Sequence, residues 1–80
     1  METDKEALLA EEQRLKRLRR IMNFTAALLW QADLTLSEAR KLVADARDRA
    51  LELFPDKGEI FDLIYGSRFR RILEEKYHLQ

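Results

Sequence analysis

The chain has 80 residues, of which 46% are hydrophobic, and its 15 basic and 15 acidic side chains leave a formal net charge of zero. This length predicts one small domain, residues 1–80, whose core is marginal if the chain stands alone. The sequence contains no cysteine, which excludes a disulfide framework, a thiolate metal centre and a cysteine nucleophile.

The apolar segments are too short to span a bilayer. The richest of them, IMNFTAALLW at 21–30, has about half of the ~20 residues that a transmembrane helix needs. The first residues are acidic and lack the basic-then-apolar order of a secretory signal. We therefore expect a soluble, cytoplasmic protein.

The composition favours helices. Leucine, alanine and charged residues with high helix propensity dominate, whereas Val, Ile and Thr together supply eight residues. No long stretch alternates with the period of two that is typical of strands. We predict an all-α fold, a small helical bundle with a long N-terminal helix followed by two or three shorter helices.

The first helix is predicted from about residue 4 to residue 33. One stripe of its apolar side chains recurs at the seven-residue spacing typical of paired helices. This stripe consists of Leu8, Leu15, Met22 and Leu29 at the seven-residue spacing, with Leu18, Thr25 and Ala32 at the intervening positions, where Glu11 breaks the pattern. Residues 21–30 are apolar almost all round, which predicts that they are enclosed by protein. Residues 1–20 carry only the narrow stripe, so we expect them to project from the bundle or to pair with a partner chain.

Local signals place the later helices. Thr35 and Glu38 have the spacing of a capping box and predict the start of the second helix, which Pro55 ends. Asp56 and Glu59 are predicted to cap a third helix. Gly66 and the serine after it favour a break or a kink before a fourth helix, although one continuous helix containing Gly66 also fits the apolar spacing.

Basic side chains form two clusters, at 14–20 and 68–71. The candidate nucleic-acid contacts in them are Arg14, Lys16, Arg17, Arg19, Arg20, Arg68, Arg70 and Arg71. Clusters of this kind can form a phosphate-binding surface. The chain as a whole is neutral, however, and Glu12, Glu74 and Glu75 lie four residues from basic side chains with which they can pair. We favour solvated helix faces over nucleic-acid binding.

The charges of the first helix are also unevenly distributed along its length. Residues 1–12 hold five acidic side chains and one lysine, whereas residues 14–20 hold five basic side chains. The basic segment can therefore match the acidic start of an antiparallel partner helix.

The chain offers few groups for catalysis. His78 is the single histidine and lies near the C-terminus, and no glycine-rich phosphate loop or metal-ligand spacing is present. We expect no enzyme activity, cofactor or metal. The predicted function is a small helical protein–protein interaction module that forms a homodimer, or pairs with another helical protein, through its first helix. The candidate interface residues are Leu8, Leu15, Leu18, Met22, Leu29 and Trp30. The alternative is a nucleic-acid-binding regulator.

Overall fold

The computed structural model describes residues 2–79, with side chains from residue 4 onward. It confirms the all-α fold over these residues. The helices are α1 (Glu2–Gln31), α2 (Leu36–Leu53), α3 (Gly58–Phe61) and α4 (Ser67–Tyr77), and a π-helical turn, Asp62–Gly66, joins α3 to α4. Helices α1, α2 and α4 all contact one another, so they form a three-helix bundle.

The predicted boundaries of α2 are confirmed. The Thr35 hydroxyl accepts a hydrogen bond from the backbone N–H of Glu38 at 3.1 Å, and the Glu38 carboxylate accepts one from the backbone N–H of Thr35 at 3.0 Å. These backbone and side-chain bonds lower the pKa of Glu38. At the other end, α2 stops two residues before Pro55, and the N–H of Lys57 donates to the carbonyl of Phe54 at 3.1 Å to close a turn.

The structure departs from the sequence predictions in the C-terminal third at the start of α3, and at Gly66 it has an irregular turn in place of a break. The backbone enters α3 at Lys57 without any side-chain cap, so Asp56 and Glu59 do not cap it. Gly66 and Ser67 both have helical dihedrals, with φ near −60° and ψ near −43°. The helix therefore continues from residue 58 to residue 77 without a break, and the π-helical turn is its only irregularity.

The π-helical turn aligns two buried aromatic side chains. In a regular α-helix, Phe61 and Phe69 would point about 80° apart, because eight residues turn about 800°. The extra residue that a π turn accommodates reduces this difference to about 20°. Both side chains consequently reach the core, where Phe61 is 6% and Phe69 0% exposed.

The core lies where α1, α2 and α4 meet. Its largest fully buried side chains are Phe69, Met22 and Leu29. Helix α2 contributes Ala39, Ala46 and Ala50, whose small side chains allow its backbone to approach the other two helices closely. The buried hydroxyl of Thr25 donates to the carbonyl of Ile21 at 2.8 Å, so it is not left without a partner.

Hydrogen bonds connect the C-terminal end of α4 to the C-terminal end of α1 and the loop that follows it. The Lys76 ammonium donates to the carbonyls of Leu29 and Ala32 at 2.5 and 2.6 Å, and the Tyr77 hydroxyl donates to the carbonyl of Leu34 at 2.6 Å. Carbonyls at a helix C-terminus lack partners within their own helix and attract positive charge. Lys76 therefore caps α1 from a different helix.

The molecule is elongated because α1 is longer than the bundle. A helix of 30 residues is about 45 Å long, and the chain extends over 52 × 22 × 15 Å. The radius of gyration is 14.7 Å, against about 12 Å for a compact chain of this length. Residues 4–17 are exposed throughout and form the projecting half of α1.

The chain encloses only one side of residues 21–30, contrary to the prediction of burial on all sides. Phe24 is 65% and Trp30 48% exposed. The reason is that α2 and α4 both pack against the Met22 side of α1, and no other helix in the described part of the chain covers the opposite side.

Candidate functional site

The predicted interface residues fall into two groups. Met22 and Leu29 are completely buried in the chain's own core, and Leu18 is partly buried against it. Leu8 and Leu15 remain 62% and 38% exposed. The apolar stripe of α1 is therefore continuous, but the bundle covers only its second half.

Trp30 is exposed at the other end of α1 from Leu8. At about 100° per residue it points roughly 80° away from Met22 but only about 40° away from Leu8, so the two side chains are on the same side of the helix. They are about 33 Å apart along the helix axis, so a partner that covers only the projecting half does not reach Trp30.

An apolar groove of about 300 Å³ lies beside the exposed part of the stripe. Helix α1 forms one wall, and α3 with the π-helical turn forms the other. The side chains that line it include Leu15, Leu18, Leu51, Phe54, Ile60 and Ile64. Glu11 and Lys57 supply its polar edge, so the groove is an apolar surface with two charged groups at its margin.

Ile60 and Ile64 were not predicted as part of a surface. They are 52% and 57% exposed, because the π-helical turn directs Phe61 into the core and leaves its apolar neighbours outside. The sequence does contain a signal for this exposure. The segment at 59–66, EIFDLIYG, has more apolar residues than one face of a helix can bury.

The groove remains open because α2 ends early. The guanidinium of Arg14 lies 5.7 Å from the centre of the Phe54 ring, at the residue that follows α2. This cation–π contact marks the last level at which α2 accompanies α1. Beyond it, towards Leu8, no other element within residues 2–79 covers α1.

An ion pair holds the π-helical turn against α2. Arg47 donates from Nε to Oδ1 of Asp62 at 2.7 Å and from a terminal guanidinium nitrogen to Oδ2 at 3.0 Å. These bonds lower the pKa of Asp62 and raise that of Arg47. Both side chains are about half exposed, so the pair positions the turn more than it stabilises the fold.

The basic side chains of residues 14–20 are exposed and form no ion pairs. Arg14, Lys16, Arg17 and Arg20 line a shallow depression beside Leu53. The predicted pairing of Glu12 with Lys16 does not form, because Arg47–Asp62 is the only ion pair within 4.0 Å among the described side chains.

The second basic cluster lies elsewhere. Arg68, Arg70 and Arg71 are exposed on α4, and Arg70 lines a separate depression together with Arg40 and Glu74. The predicted pairs with Glu74 and Glu75 are also not formed within 4.0 Å. The two clusters do not line one common depression.

Comparison of the chain with protein-family models, curated proteins and solved structures finds no match in any of the three. Within residues 2–79, no helix combines the length and apolarity needed to cross a membrane. No group of three or more His, Asp or Glu side chains is arranged to hold a metal ion in the same part of the chain.

Proposed function

We propose that this protein is a small helical interaction module that forms a homodimer through the projecting half of α1. The exposure of Leu8 and Leu15 beside an apolar groove is the observation that supports this proposal. The proposal gives the chain no catalytic role and retains the cytoplasmic location predicted from the sequence.

The exposed apolar side chains are close together, which favours a binding interface over ordinary solvent-exposed surface. Single exposed apolar residues are common in proteins, whereas contiguous apolar patches mark binding sites. Leu8 and Leu15 are exposed on the projecting half of α1, and Ile60 and Ile64 are exposed on the opposite wall of the groove that Leu15 lines. Removing one such side chain from water contributes about 1.5–3 kcal/mol, so joint burial of this set favours association.

We take the partner to be a second copy of the chain, because it already has both surfaces that the interface needs. It carries the same apolar stripe and the same groove, and a two-fold interface uses one surface twice. Each copy can place its own projecting half in the groove of the other. The exposed stripe and the exposed groove are then covered together.

The test is the mass in solution of the variant with Leu8→Glu and Leu15→Glu. We expect the unmodified chain to be dimeric and the variant monomeric, because a carboxylate at either position loses solvation when the interface closes. Leu18 is left unchanged because it also packs against the core, where a carboxylate would weaken the fold itself.

Leu9→Glu is the matched control. Leu9 is next to Leu8, is similarly exposed at 57%, and points about 100° further round the helix. We expect this variant to remain dimeric. If it dissociates as readily as the double variant, or if the double variant keeps the dimeric mass, the stripe is not the interface.

Nucleic-acid binding is the second candidate function. The observation that favours it is the exposure of five basic side chains within residues 14–20 without ion-pair partners. If it is correct, a short DNA or RNA duplex will bind with an affinity that falls steeply with salt, and joint replacement of Arg17, Arg19 and Arg20 by Glu will abolish binding. If the fluorescence anisotropy of the labelled duplex does not change at micromolar protein and low salt, this candidate is discarded.

A further inference from the structure

We infer that the two copies of α1 lie antiparallel, so that the acidic start of one projecting half reaches the basic segment of the other. This inference rests on the proposed homodimer and specifies its geometry. The groove is then occupied by residues 8–15 of a second copy, and the two bundles lie at opposite ends of the dimer.

The covered part of the stripe determines which orientation can form. Met22 and Leu29 are buried by α2 and α4 of their own chain, so a second helix can follow the stripe only as far as Leu18. A parallel pair would bring both bundles to the same level on the facing sides of α1, where they would collide. An antiparallel pair places the bundles at opposite ends, so the residues that meet along the stripe are those from Leu8 to Leu18 of each chain, which α2 and α4 leave exposed or only partly buried.

The distribution of charge favours the same orientation. Residues 1–12 carry a net charge of −4 and residues 14–20 a charge of +5. A parallel pair would place acidic segment beside acidic segment and basic beside basic. An antiparallel pair places opposite charges side by side, which lowers the electrostatic energy of association and guides encounter.

The leucines of the stripe favour one register, in which Leu8 meets a leucine of the partner. Paired helices have two alternating apolar positions in each seven-residue repeat. In an antiparallel pair, the first of these positions on one helix faces the second on the other. Leu8 then lies against the partner's Leu18, which lines the groove, and Leu15 lies against the partner's Glu11. The same register brings the partner's Arg14 within a turn of Glu11, so this carboxylate at the groove margin gains a basic neighbour.

Disulfide cross-linking distinguishes the orientations, because the natural chain has no cysteine. In the antiparallel register, Leu8 and the partner's Leu8 are separated by about 15 Å along the helix axis, whereas a disulfide requires Cα atoms within about 7 Å. We expect a mixture of the Leu8→Cys and Leu18→Cys variants to form cross-linked pairs containing one of each. We expect the Leu8→Cys variant alone to form none.

Each outcome of the cross-linking has one meaning when the mass of the unmodified chain is measured alongside. A dimer whose Leu8→Cys variant links to itself contradicts the antiparallel orientation and leaves the homodimer intact. A chain that is monomeric at every concentration contradicts the homodimer and, with it, the orientation.

Salt provides a second readout that does not depend on cysteine. Raising the salt concentration from about 0.05 M to about 0.5 M screens exposed charges. We expect the dissociation constant of the antiparallel dimer to rise over this range, because attraction between the segments is lost. A dissociation constant that falls with salt indicates relief of repulsion and overturns the inference.

Discussion

Lys76 is the residue whose role depends most on tertiary structure. Its aliphatic stem follows the apolar spacing of α4, while its ammonium caps the carbonyls of Leu29 and Ala32 at the end of α1. Sequence alone places this residue at a core spacing but cannot supply its partners, which lie more than forty positions away. The same holds for Arg47 and Asp62, since their pairing depends on how the π-helical turn meets α2.

Replacement of Lys76 by methionine tests this cap. Methionine retains the apolar stem but removes the donor, so two carbonyls at the end of α1 lose a charge-assisted hydrogen bond. We expect the free energy of unfolding to fall by about 1.5–3 kcal/mol, measured by urea denaturation. Lys41→Met, at an exposed position on α2, is the control and should change it by less than about 0.5 kcal/mol. Equal effects of the two substitutions would show that the cap contributes nothing.

At the level of the elements, the sequence predicts the helix ends that depend on residues close to one another along the chain. The capping box at Thr35 and the stop before Pro55 involve residues within four positions of one another, and both are confirmed. The break or kink predicted at Gly66 is a π-helical turn within one continuous helix, because packing of Phe61 and Phe69 on one core outweighs the local preference of glycine to end a helix. Tertiary packing of this kind is not visible in a local pattern.

The candidate surface was predictable in part for the same reason. The periodicity of α1 identified Leu8 and Leu15 as members of one stripe, and both are exposed. It could not show that Met22 and Leu29 are already covered by the chain itself. Ile60 and Ile64 were missed because the π-helical turn decides which apolar side chains of that segment face outward.

Replacement of Gly66 by alanine tests whether glycine is needed in the π-helical turn. Gly66 has helical dihedrals, and an added Cβ would lie 3.8 Å from its nearest neighbour, the Cβ of Asp62. We expect this substitution to stabilise the chain by about 0.5–1 kcal/mol, seen as a higher midpoint of thermal unfolding. Gly58→Ala should gain less, because its added Cβ would lie 3.3 Å from the Leu51 side chain. A lower midpoint for Gly66→Ala would mean that the turn requires glycine.

At the scale of the whole molecule, one helix serves two purposes. The second half of α1 provides the core against which α2 and α4 pack, and the first half extends the same apolar stripe beyond them. A small chain with a marginal core gains stability when a second copy covers such an extension. On this account, folding and pairing share one continuous surface.

The mass of the unmodified chain as a function of concentration tests this account most directly. The homodimer predicts a mass of twice 9.5 kDa at high concentration, falling towards the mass of one chain on dilution. It also predicts that the midpoint of thermal unfolding rises with protein concentration, because dimerisation stabilises the folded chain by mass action. A mass of one chain at every accessible concentration, with a midpoint that does not depend on concentration, would contradict the proposed homodimer.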